Sequence, residues 1–182
     1  GGAIAFYGTV MGLYGTTIES SLARTDHGLA QGGGLYAQGS VVMHASTISN
    51  NSVSASGSVG AFSGTINGGG LHTRGSVLIE NSTLDGNTSS GDAGAAFVNR
   101  GGTLLNSTVS NNVAGSGTSG IVMQGYSSYA HIYSSTISGN VSERSKQGWS
   151  GGLYLVNANI TITNSTITGN SEANQVSTKF GA

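Results

Sequence analysis

Side chains suited to chemistry are sparse in this sequence, and their spacing decides what they can do. One set follows a recurring glycine-opened stretch: Ala5, Tyr36, His72, Phe97, Val122 and Tyr154. Aromatic rings aligned in a groove stack on sugar rings, so Tyr36, His72, Phe97 and Tyr154 are candidate ligand-binding residues. The competing reading is that neighbouring loops cover these apolar groups. Trp149 stands in a segment with Glu143, Arg144 and Lys146. A loop tryptophan beside charges suits contact with a sugar or a protein, against a tryptophan folded back over its own chain.

The titratable residues form few combinations. His44 and Glu80 occupy equivalent repeat positions, about 5 Å apart if neighbouring strands pair, which fits a surface ion pair of small energetic value. Glu19 and Asp85 fall two repeats apart in one column, roughly 9–10 Å. Two carboxylates at that separation suit an inverting glycosidase, but Ser49 lies between them and solvated surface carboxylates are the plainer reading. Arg24, Asp26 and His27 form the densest local cluster and read as a solvated loop. No calcium-binding nonapeptide repeat occurs, and the sequence calls for no metal or other cofactor.

Composition narrows the partners. The chain has 182 residues with 32 glycines, no proline and no cysteine, and its formal net charge is −1. Near-neutral charge gives no reason to expect nucleic acid. Without cysteine there is no disulfide framework or thiolate metal site. No apolar run reaches the length of a membrane-spanning helix.

The element that must position these residues is a repeat. Asn164-Ser165-Thr166-Ile167-Thr168-Gly169-Asn170 returns as Asn81–Asn87, Asn106–Asn112, Ser134–Asn140 and Ala45–Asn51, with a worn first copy at Gly15–Ser21. Successive central threonines are separated by 30, 36, 25, 28 and 30 residues. Self-similarity at this period marks a solenoid. Upstream of each block, Leu13, Met43, Ile79, Leu104, Ile132 and Ile162 align, as do Met11, Val41, Val77, Gly102, Ala130 and Ile160. Inside the block come Ile18, Ile48, Leu84, Val109, Ile137 and Ile167. Polar residues separate these columns, the alternation of strands with one buried face. A third strand opens on glycines, as in Gly34-Leu35-Tyr36-Ala37 and Gly152-Leu153-Tyr154-Leu155. Three strands and three turns per repeat predict an all-β, right-handed, three-sided parallel β-helix of about six coils without large helices. At about 4.8 Å per coil it would be about 29 Å long.

The turns differ in kind. Gly15, Ala45, Asn81, Asn106, Ser134 and Asn164 stand where a sharp bend is needed, and Asn and Gly accept a left-handed backbone. Asn81 and Asn106 could pass amide hydrogen bonds along a ladder. The block's end, Asn51, Asn87, Asn112, Asn140 and Asn170, fits a second ladder or a turn cap. These asparagines are read as structural. The third turn varies most in length and carries most of the charge, and variable loops on one side of a solenoid are often its binding face. The threonine column Thr17, Thr47, Thr83, Thr108, Thr136 and Thr166 recurs without a break. Its neighbour, with Glu19 and Asp85, is too mixed for an ordered-water face, so solvating hydroxyls are the plain reading.

The Gly-Gly-Leu-Tyr opening, the Thr/Ile alternation and the Asn-Ser-Thr-Ile-x-Gly-Asn block together resemble bacterial right-handed parallel β-helix proteins of the pectate-lyase-like superfamily. Gly1-Gly2-Ala3-Ile4 is similar to the repeat of chlamydial polymorphic outer-membrane proteins, without its companion Phe-x-x-Asn. The resemblance implies export to the cell surface or medium. Polysaccharide lyases of that superfamily use a basic residue, commonly with calcium on clustered acids, and no such cluster stands out here.

The expectation is one β-helix segment over 1–182, part of a longer rod. It would be the non-catalytic structural or adhesive section of an exported surface protein or extracellular filament, binding glycans on one face. The alternative is a segment of a carbohydrate-active enzyme, a polysaccharide lyase or glycoside hydrolase. Expected partners are a glycan or a host or neighbouring surface protein, and end-to-end self-association through the strand at Phe180-Gly181-Ala182 is a further expectation.

Overall fold

The computed structural model describes residues 1–26, 28–56, 66–143 and 150–172. Trp149, Arg144, Lys146, His27 and the Phe180-Gly181-Ala182 stretch fall outside these. The described residues form strands and turns with no helix, and every strand pair is parallel, as in Leu35–Ala37 with Leu71–Thr73 and Thr47–Ser49 with Thr83–Asp85. The chain winds as a parallel β-helix of six coils.

Each coil has four faces, which corrects the expected three. The first holds the glycine-opened strands Ile4–Phe6, Leu35–Ala37, Leu71–Thr73 and Ala96–Val98. The second holds Val10–Tyr14, Ser40–His44, Val77–Glu80 and Gly101–Leu105. In the last two coils the long strands Ile121–Tyr133 and Leu153–Thr163 run through both faces and join them into one ten-stranded sheet. The third face is the six-stranded sheet of the Thr-Ile blocks, from Thr17–Glu19 to Thr166–Thr168. The fourth, also six-stranded, lies inside the expected third turn: Leu22–Thr25, Ser52–Ala55, Thr88–Ser89, Val113–Ala114, Val141–Ser142 and Ser171–Glu172. These strands have two to four residues and inward positions as small as Ser89 and Ala114, so they leave no hydrophobic period to read.

Like residues stack on like. Leu13, Met43, Ile79, Leu104, Ile132 and Ile162 pair in sequence along the second face. The first five of these, with Ile18, Ile48, Leu84, Val109 and Ile137, belong to one continuous core. Ile79 and Ile132 have no exposed surface, whereas Ile160, Ile162 and Ile167 of the sixth coil are 43–46% exposed, with no further described coil stacked on them.

Two hydrogen-bond ladders flank the third face. At its entrance the backbone N–H of Ser46 donates to Ser82 Oγ, Ser82 N–H to Ser107 Oγ, and Ser107 N–H to Ser135 Oγ, at 3.0–3.1 Å. Each hydroxyl also donates to the carbonyl two residues earlier. At its exit the amides of Asn51, Asn87, Asn112, Asn140 and Asn170 form a column, buried except at Asn170. Asn51 Oδ1 accepts the backbone N–H of Ser21, each later Oδ1 accepts both the backbone N–H and the Nδ2 of the preceding asparagine, and each Nδ2 also reaches a core-strand carbonyl. The ladder therefore runs through this column and not through Asn81 and Asn106, which are exposed. Those two sit with φ of +49° and +48°, Asn164 at +51° and Ala45 at +47°, the left-handed bend between the second and third faces.

The glycine pairs close the coil. A Cβ on Gly33 would lie 2.4 Å from the Ser52 carbonyl oxygen, and one on Gly69 2.4 Å from that of Thr88. A Cβ on Gly34 or Gly70 would lie 2.9 Å from the amide carbon of Asn51 or Asn87 in the same coil. The first glycine thus packs on the fourth strand and the second on the asparagine ladder. Ser119 and Ala95 hold the equivalent places in two coils, and both are fully buried.

Candidate functional site

The glycine-opened strands place Ala5, Tyr36, His72, Phe97, Val122 and Tyr154 in one register column. Tyr36 and His72 stack with ring centroids 5.6 Å apart, and His72 and Phe97 at 5.4 Å. Tyr7, from the following turn, tilts onto Tyr36 at 5.9 Å. The column is not an open groove. His72 is 1% exposed, Phe97 7% and Val122 fully buried. Phe97, Val122 and Ala93 form a small separate core with Tyr154 against it. Only Tyr36 and Tyr154 remain half-buried. The rings sit under neighbouring chain, where a sugar has no path to the central faces.

His72 is the unusual member. Both ring nitrogens are buried and neither has a hydrogen-bond partner. Burial, with smaller contributions from the positive charges of Arg74 and the amino group of Gly1, lowers its pKa to about 3. It is a neutral aromatic plate in this stack, not a proton carrier.

Beyond Tyr7, which is 73% exposed in the turn after the first face, the exposed tyrosines lie on the second face. Tyr14 is 68% and Tyr129 46% exposed, with Val10 and Leu78 also open. His131 stands between Tyr129 and Tyr133, at 5.1 and 5.8 Å. Alternate residues of a strand point the same way, so the three rings share one outward row. Beside it run Tyr14, His44, Glu80, Leu105, Tyr133 and Thr163 in register. His44 Nδ1 lies 3.1 Å from Glu80 Oε2 in an exposed pair. The signal for this surface was present in the second strand. The same alignment that gives its inward columns gives Tyr14, Leu105 and Tyr133 as outward ones.

The carboxylates are dispersed. Glu19 and Asp85 share a column with Ser49 between them. Asp85 Oδ1 accepts from Ser110 Oγ at 2.6 Å and Asn111 Nδ2 at 2.9 Å, so it serves as a local acceptor. Asp26 accepts from Ser56 Oγ. Among the described residues no three His, Asp or Glu side chains converge to hold a metal ion. Comparison with family models, curated proteins and solved structures returns no match for this chain.

Proposed function

We propose that this chain is a rigid, non-catalytic section of an exported surface protein or extracellular filament, and that its second face makes adhesive contact with glycans. The observation that carries the reading is the outward row of Tyr129, His131 and Tyr133 with the open Tyr14 and Leu78. Large amphipathic rings on a stiff surface lose little entropy on binding and dominate contact energies. A parallel β-helix supplies the stiffness, since every inner strand is paired on both sides. The resemblance to exported β-helix proteins of the pectate-lyase-like superfamily supports a location outside the cell.

The test is a glycan array probed with the chain and with a Tyr129→Ala/Tyr133→Ala variant, followed by a turnover assay on every bound glycan. The expected result is binding that falls about tenfold or more in the variant, as for loss of central aromatic contacts, with no product formed. Unchanged binding in the variant overturns the placement of the contact. Product release under substrate excess overturns the non-catalytic reading in favour of a carbohydrate-active enzyme.

A further inference from the structure

The fourth face carries a groove of about 330 Å³, within the range that holds small ligands. Two outward columns line it. Ser52, Thr88 and Val113 stack in register in one. In the other Ser54 stands beside Ser90, then Gly115, then Glu143, following the bonds Ser90 N–H to the Val53 carbonyl, Gly115 N–H to that of Ser89 and Glu143 N–H to that of Ala114. Gly115 presents no side chain, so the second column has a gap between the Ser90 hydroxyl and the Glu143 carboxylate.

The hydroxyls in this groove differ from those of the ladders. Ser46, Ser82, Ser107 and Ser135 each commit Oγ to a carbonyl two residues back. The hydroxyls of Ser52, Ser54 and Thr88 and the carboxylate of Glu143 bond to no other described residue. Donors and acceptors thus recur here at the strand spacing of about 4.8 Å, close to the length of one pyranose unit. The backbone offers nothing comparable. Ser52–Ala55, Thr88–Ser89 and Val113–Ala114 are each paired on both sides, so a peptide cannot dock here by strand addition.

We infer that this groove binds a neutral oligosaccharide laid along the rod axis. Its hydroxyls are read by Ser52, Ser54 and Thr88, Val113 packs against a sugar face, and Glu143 accepts from a pair of vicinal hydroxyls. The carboxylate sets the class, since it repels uronate chains and accepts from neutral ones. This site lies on a different face from the aromatic row and does not depend on it.

The experiment titrates the chain calorimetrically with neutral cello-, manno- and chito-oligosaccharides and with oligogalacturonate. It compares wild type, Thr88→Trp, Glu143→Gln and the Tyr129→Ala/Tyr133→Ala variant, each checked for an unchanged circular-dichroism spectrum. Thr88 is exposed on its strand, so a tryptophan there fills the groove without entering the core. At least one neutral oligosaccharide should bind wild type and lose about tenfold or more in affinity, at least 1.4 kcal/mol, in Thr88→Trp. Glu143→Gln should weaken it severalfold and reduce discrimination against oligogalacturonate, while the tyrosine variant retains it. Absence of binding by all three neutral families, preference for oligogalacturonate in wild type, or equal affinity in Thr88→Trp overturns the assignment.

Discussion

The side-chain amide of Asn87 donates to Oδ1 of Asn112 at 3.0 Å, and neither residue reaches solvent. The same Oδ1 accepts the backbone N–H of Asn87 at 2.9 Å, so one oxygen satisfies two buried donors of the coil before it. Asn112 in turn donates to Leu84 and Ser110 carbonyls and to Asn140 Oδ1. A buried donor without an acceptor costs more than an ordinary hydrogen bond contributes.

Asn112→Ala is therefore expected to cost about 2–5 kcal/mol, because it leaves Asn87 N–H and one of the two Nδ2 hydrogens without an acceptor, the other still reaching the Ile48 carbonyl. Asn112→Asp keeps the acceptor but turns the donor side into an oxygen facing three acceptors. It should be worse than alanine at pH 7 and recover as the pH falls, since burial raises the carboxyl pKa and the protonated acid can donate again. Urea unfolding at pH 7 and pH 4.5 measures both, and an aspartate variant insensitive to acid would contradict the ladder geometry.

His72 gives the wild-type chain an acid sensitivity of its own. Its folded pKa is about 3 against 6.5 in a free histidine. Between those values the unfolded chain binds one more proton, so stability falls as the pH drops, by up to about 1.4 kcal/mol per unit from this group. Below the folded value the loss is complete. His72→Phe should remove that slope and raise stability at pH 7 by about 1–2 kcal/mol, since two unpartnered nitrogens leave the stack. Unfolding free energies between pH 7 and pH 4 give the slope directly, and an identical slope in the variant would refute the account.

The left-handed corners offer a gain. Ala45 holds φ of +47° on an exposed bend where the preceding coil uses Gly15 and later coils use Asn81, Asn106 or Asn164. A Cβ in this region is strained and glycine is not. Ala45→Gly should stabilise by up to about 1 kcal/mol, read as a higher thermal midpoint, whereas Asn81→Ala should lose a similar amount.

The parallel coil and its inward columns were legible because large aliphatic residues recur at fixed offsets, and a column such as Ile48, Leu84 and Val109 has no other way to be buried. The fourth face was not. Val53, Ser89 and Ala114 face inward over strands of two to four residues, and alternation of small side chains looks like turn composition. The candidate site failed to read for a related reason. Alternation tells which side of a strand faces out of its coil, so Tyr36, His72 and Phe97 read as outward. Only tertiary packing shows that other parts of the chain cover that side, while Tyr14 and Tyr129 one face away stay open.

The glycine pairs connect the hidden strand to function. A Cβ on Gly69 would stand 2.4 Å from the Thr88 carbonyl oxygen and 2.5 Å from that of Gly94, both backbone atoms. A Cβ on Gly70 meets the Ala95 carbonyl oxygen at 2.8 Å and the side chain of Asn87 at 2.9 Å. Gly69→Ala should therefore cost about 1–3 kcal/mol by overpacking, and more than Gly70→Ala. Because Thr88 lines the fourth-face groove, displacing its backbone should also weaken oligosaccharide binding there, while the tyrosine row of the second face keeps its contacts. Thermal unfolding with calorimetric titration of both variants tests this. Equal stability losses, or a Gly69→Ala chain that binds as wild type, would show that the pinch between glycine and fourth strand does not set the shape of the groove.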